Sequence, residues 1–219
     1  MSWFRSKPAA TVPAQATATD RALPAVPGYL AGTWTIDPVH SEVSFTVRHM
    51  AVSKVRGRFG DVTGELVTAA DPRGSRVEAT IAVGSVTTFN EGRDAHLRNG
   101  DFFDVETHPT AAYRSTGLRH DGDDFLLDGE LTLKGVTRPV VLRLEVSGIG
   151  PDAYGGTRAG FSATGRINRR DFGVEFDARL ETGGLVVADE VDLQLDVEAV
   201  LAAPADATGD SADAAAATA

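Results

Sequence analysis

Val191-Asp192-Leu193-Gln194-Leu195-Asp196-Val197-Glu198 sets an apolar side chain at every second position and a polar or acidic one between. Successive side chains of an extended strand point to opposite faces, so this octet reads as a strand with one dry and one wet face. The same period recurs upstream. Val43, Phe45 and Val47 alternate with Ser44, Thr46 and Arg48, and Val77, Ala79, Ile81 and Val83 share one face. Phe125, Leu127, Leu131 and Leu133 oppose Asp128, Glu130 and Thr132. Val140, Leu142, Leu144 and Val146, then Ala159, Phe161, Ala163 and Ile167, continue the pattern. Half-buried antiparallel strands require this alternation.

Turn chemistry separates the strands. Asp71-Pro72-Arg73-Gly74, Asp121-Gly122, Lys134-Gly135 and Gly155-Gly156 supply the backbone freedom of tight reversals. About eight strands at this spacing predict an all-β, extended antiparallel barrel. Closure removes exposed edges, turns the apolar faces inward and leaves room for one ligand. Residues 90–99 break the period, with Glu91 and Asp94 early and Arg98 late, which predicts a short helix across a barrel end.

The chain divides into three parts. Residues 1–29, rich in Ala, Pro and Thr, form a flexible arm; residues 30–201 form the barrel; residues 202–219, dominated by Ala and Asp, form a disordered tail. Thirty-one acidic residues against 21 basic ones give a net charge of −10, which disfavours both nucleic acid and an anionic membrane surface as partners. Cysteine is absent, removing disulfides, thiolate nucleophiles and Cys-ligated metals. No signal-peptide core and no apolar run of membrane-spanning length occur, so a cytoplasmic location without an integral membrane segment is expected.

Catalytic and metal motifs are missing. Gly148-Ile149-Gly150-Pro151-Asp152-Ala153 has dinucleotide-fingerprint spacing, but Pro151 and Gly155-Gly156 deny it the following helix, so it reads as a hairpin. Asp121-Gly122-Asp123-Asp124 lacks the spaced ligands of a calcium loop, and the histidines form no zinc-binding helical pair. Neither a cofactor nor a metal is expected, and no enzyme activity. Small residues among large ones, Ala79, Gly129, Ala159, Ala163 and Gly165, are expected to leave room along the axis.

Trp34-Thr35-Ile36-Asp37-Pro38-Val39-His40-Ser41, Val43 to Met50, Ser53 to Phe59, Arg93-Asp94-Ala95-His96-Leu97 with Asp101-Phe102-Phe103-Asp104, Leu131 to Val140, Arg169 to Val174 and Val191 to Ala199 follow one another in this order. Together these phrases resemble the YceI family of polyisoprenoid-binding proteins. The likeness spans about residues 32–201. It implies a lipocalin-like barrel binding, storing or transporting a long-chain isoprenoid, isoprenoid quinone or fatty amphiphile; homodimerisation stays open. A lipid-modifying enzyme and a structural barrel with a filled core are the alternatives.

The wall residues expected on this reading are Phe45, Val47, Phe59, Ile81, Leu127, Phe161, Ala163 and Leu195, with Phe102, Phe103 and Phe172 near the mouth. Adjacent Phe102 and Phe103 reach one core only through a sharp bend. His49 continues the face of Val47 and reads either as a head-group contact or as a structural histidine. His40 flanks the other end of that strand, His96 carries the same ambiguity as His49, and Arg93-Asp94 reads as a helix-terminal ion pair or as contacts organising a lid. Lys54, Arg56 and Arg58 at period two read as a solvated outer stripe or as a diphosphate anchor.

Overall fold

The computed structural model describes residues 23, 25–50, 52–121, 124–177 and 186–203. Their strands are β1 (Gly32–Ile36), β2 (Glu42–His49), β3 (Ser53–Phe59), β4 (Val62–Thr68), β5 (Arg76–Ala82), β6 (Val86–Thr87), β7 (Thr110–Asp121), β8 (Asp124–Leu133), β9 (Val136–Pro151), β10 (Thr157–Asn168) and β11 (Val187–Leu201). All pairings are antiparallel.

Six of these strands are halves of three bent ones. β11 pairs with β1 through Ile36↔Ala199 and, lower down, with β2 through Val43↔Leu195 and Val47↔Val191. β4 pairs with β1 and β3 with β2, while β5 pairs with β4 and β6 with β3. The bends fall at Asp37–Ser41, Gly60–Asp61 and Val83–Ser85. Eight positions therefore ring a closed barrel, each strand beside its sequence neighbour and β11 beside the first. Closure leaves the dry face of every strand pointing inward, which is the periodicity read from the sequence.

The register shifts between Ser115 and Gly117 in β7, and Ser147 is skipped in β9 opposite Gly160–Phe161. Such bulges add local twist and help a long sheet to curl. The β8–β9 hairpin turns on Lys134 (φ 50°) and Gly135 (φ 73°), a positive-φ pair suited to a two-residue reversal. Gly148 and Gly150 lie within β9, so the fingerprint-like run is strand and hairpin. Of the Asp121–Asp124 turn, Gly122 and Asp123 lie outside the described residues.

One end, here the upper, is closed by Trp34, fully buried with Ala159 and Ala199, its indole N–H donating to Thr68 Oγ1 at 2.8 Å. The lower end carries α1 (Glu91–Arg98), capped by Asn90 Oδ1 accepting from Arg93 N at 2.9 Å. Glu91 and Asp94 sit in its first turn and His96 and Arg98 in its last, matching the helix dipole. Arg98 donates to Gly84 O and Val86 O, and Lys134 Nζ to Gly100 O and Gly173 O, fastening the helix and its following loop to the rim.

Candidate functional site

The barrel axis holds two narrow apolar chambers stacked end to end. The upper cavity has a volume of about 150 Å³ and the lower about 140 Å³. Val43, Ile81, Tyr113, Leu142 and Leu195 line both and form the waist. On β11 the lining runs from Val197 to Val187. Ten residues of strand measure roughly 33 Å, or about 25 Å along a barrel axis after tilt.

Leu127, Phe161 and Ala163 line the upper chamber, Phe45, Val47, Phe59, Phe102 and Phe103 the lower, and Ile81 and Leu195 both. Phe102 and Phe103 face the same space because the chain bends sharply there. Phe102 N and Asp104 N both donate to Asn99 O, Phe103 N donates to Leu97 O, and Asp104 adopts φ 51°. Phe172 is buried with Tyr113, Val140, Leu142 and Ala163 but is not among the lining residues. His49 pairs in the ladder with Val187 and Ser53 and is likewise not among them.

Three of the five small residues, Gly129, Gly165 and Ala159, do not leave open room. A Cβ on Gly129 would collide with the Tyr113 ring and stand 2.8 Å from Arg114 O, and one on Gly165 would lie 2.7 Å from Leu142 Cδ2. These glycines admit the waist side chains. Ala159 is filled over by Trp34, whereas Ala79 and Ala163 do face the upper chamber. Tyr113, which alternation had not singled out, donates its hydroxyl to Leu127 O at 3.1 Å and Val140 O at 3.4 Å. Burial, and secondarily the charge of Asp128, push this phenol well above its ordinary range.

Val26 and Tyr29, in the stretch read as arm, also line the upper chamber. The Tyr29 hydroxyl donates to Ala69 O at 2.7 Å and lies 3.1 Å from Ser75 Oγ. At the lower chamber Arg169 is buried; its guanidinium donates to Val174 O, Ala188 O, Val187 O and Asp189 Oδ1. The cation is thus spent on the protein itself. Among the described residues, no carboxylate or imidazole lines either chamber.

Arg93 and Asp94 do not pair with each other; both grip Thr88. Asp94, 6% exposed, accepts from Thr88 N at 2.8 Å, from Thr88 Oγ1 and from Thr87 Oγ1 at 3.0 Å. Arg93 donates to Thr88 Oγ1 and to Thr88 O. His96 Nε2 sits 2.9 Å from Asp101 Oδ2, and its ring meets Phe102 and Phe176 edge-on at about 5 Å.

Asp37, His40 and Glu198 bring ligand atoms within 4.8 Å of one another. Arg158 Nη1 already donates to Asp37 Oδ2 at 2.6 Å and Glu198 Oε1 at 2.5 Å, while its Nε reaches Asp152 at 3.2 Å. The cluster is therefore an arginine-centred clasp joining the β1–β2 bend to the β9–β10 hairpin. Lys54, Arg56 and Arg58 alternate with Val55, Gly57 and Phe59 and lie exposed on the outside of the barrel, away from both chambers. The stripe is an outer one.

An antiparallel barrel with a narrow apolar interior is the architecture of lipocalin-type binding proteins. The YceI-like domain family matches residues 34–199, and the chain belongs to that family. Protein YceI of Escherichia coli O17:K52:H18 is 39% identical over 162 residues, covering 74% of this chain and 82% of that protein. A solved YceI protein of Campylobacter jejuni is 28% identical with a TM-score of 0.61, over 71% of this chain and 90% of its own. A domain from Saccharophagus degradans described as polyisoprenoid binding shares the fold at TM-score 0.58 and 16% identity, over 79% of this chain and all of that one. Among the described residues, no helix is long and apolar enough to cross a membrane.

Proposed function

We propose that the protein binds and carries one long-chain apolar molecule, an isoprenoid, isoprenoid quinone or comparable amphiphile, along the barrel axis. The observation that carries this reading is the predominantly apolar lining of two chambers sharing one waist, interrupted by Tyr29, Thr68, Ser75 and Arg76 in the upper chamber, Tyr113 at the waist and Arg169 in the lower. Phe45, Val47, Phe59, Phe102 and Phe103 are its lower contacts, Leu127, Phe161 and Ala163 its upper ones, and Ile81 and Leu195 its contacts at the waist. Each buried CH₂-sized group contributes about 0.8 kcal/mol, so several isoprene units bind tightly without polar help. The polar atoms along the path support an apolar cargo, because Tyr29, Thr68 and Tyr113 spend their hydroxyls on backbone carbonyls. Membership of the YceI family, and the description of the Saccharophagus domain, point the same way.

The role proposed is noncatalytic. General acid–base work on a lipid needs a titratable group within reach of the cargo, and the lining supplies no carboxylate or imidazole among the described residues. Mass spectrometry of an organic extract of the purified protein, followed by uptake of a labelled polyprenol, tests the reading. A stoichiometric polyprenyl or quinone species is expected; protein free of lipid that takes up no polyprenol would overturn it.

A further inference from the structure

The outer face of the β2–β3 hairpin concentrates four cations, three of them without an ion-pair partner among the described residues, although Asp189, Glu190 and Asp192 line the same depression as Arg48 and Lys54. Arg48 stands directly opposite Lys54 in the ladder, and Arg56 and Arg58 continue the stripe along β3. Like charges directly opposite across a strand pair destabilise it. Of the four, only Arg58 is ion-paired among the described residues, to Glu42 at 2.6 Å. The nearby acids of β11 are held by other arginines: Asp192 and Glu190 by Arg166, Asp189 by Arg169 and Arg170.

Apolar side chains stand exposed at both ends of this stripe. Val52, at the hairpin tip, is 84% exposed beside Met50, which has φ 50°. Phe89 is 80% exposed at φ 59°, with the Arg58 guanidinium 5.4 Å from its ring centre. Positive φ is an uncommon and strained backbone for bulky side chains. From Val52 to Arg58 is six residues, roughly 20 Å of strand, with Lys54 and Arg56 between. Met50 N donates to Val186 O, which sets the tip beside Val187 at the rim of the lower chamber.

We propose that this apolar–cationic–apolar face docks the lower rim of the barrel onto an anionic lipid surface. The cations meet lipid phosphates while Val52 and Phe89 enter the head-group layer. The overall charge of −10, which on its own disfavours an anionic membrane, is largely screened beyond about 8 Å at physiological ionic strength, so the local stripe outweighs it at contact. The docking takes its purpose from the lipid-carrier reading but is measured without cargo.

The full chain is floated with phosphatidylcholine vesicles, with and without phosphatidylglycerol, at low salt and in about 1 M salt. Binding to the anionic vesicles alone, lost at high salt, is expected. Lys54→Glu with Arg56→Glu lowers the partition by about thirtyfold or more while leaving thermal stability equal or higher, because a like-charge pair is relieved. Val52→Asp with Phe89→Ser lowers it as well, and Tyr154→Ser at the upper end leaves it unchanged. Absence of binding to anionic vesicles, or variants that bind like the parent chain, overturns the proposal. Uptake of polyprenol from detergent is read in the same variants. If the parent takes up none yet docks, the carrier reading fails and the docking stands.

Discussion

Asp94 keeps its charge under the barrel rim because burial, which pushes its carboxyl up, is outweighed by the hydrogen bonds from Thr88 and Thr87 and by the Arg98 charge; its pKa ends below the ordinary value. The unfolded chain therefore takes up this proton first as pH falls. Its stabilising contribution is full above about pH 4, the unfolded carboxylate range, and is lost as pH drops through the lower folded value. Asp94→Asn should cost about 2–3 kcal/mol at neutral pH. Urea titrations of both proteins from pH 7 to 2.5 should show that gap narrowing below pH 4; a gap independent of pH would refute the charged role. Gly57 illustrates a different constraint. It faces Phe45 across β2–β3, and a Cβ there would strike that ring and stand 2.8 Å from Thr88 Cγ2. Gly57→Ala should destabilise by about 1–3 kcal/mol through overpacking, read as a fall in the urea midpoint with the slope unchanged.

β10 allows the tunnel reading to be separated from that of a filled core. Ala163, paired with Leu144 and Leu195, presents its methyl to the upper chamber. If that space is for cargo, Ala163→Trp should block polyprenol uptake while shifting apo stability by less than about 1 kcal/mol. A packed interior would lose roughly 1–3 kcal/mol or more. Uptake and the melting curve of the apo protein decide between them. The inward orientation of this strand was legible in the sequence, because period two follows from backbone geometry alone. So were α1, through its charge order, and the hairpin at Lys134-Gly135. What could not be read were contacts made across the barrel. Gly129 and Gly165 look like gaps until Tyr113 and Leu142, from other strands, are seen to occupy them. Nor does alternation mark Asp37–Ser41 and Gly60–Asp61 as bends within continuing strands, since that depends on β11 spanning both halves of the partner. The basic stripe was visible as a period, and only closure of the barrel assigns its side.

The two ends of the molecule differ, and that difference bears on which cargo fits. The lower rim carries the loop of Phe102 and Phe103 beside the proposed docking face, whereas the upper chamber ends against Val26 and Tyr29. A chain admitted at the lower rim would run through the waist and stop at the Tyr29 ring, which its bonds to Ala69 O and Ser75 Oγ hold in place. That ring then acts as a ruler for cargo length. Tyr29→Ala removes the stop and its hydrogen bonds, which should cost about 1–2 kcal/mol and lower the melting temperature by about 2–8 °C. It should also shift the preferred polyprenol toward longer homologues while leaving transfer from vesicles at its original rate. Competition between labelled polyprenols of graded length, in parent and variant, measures the shift. If both proteins rank the homologues identically, the upper limit of the cargo is set elsewhere along the barrel and the ruler is disproved.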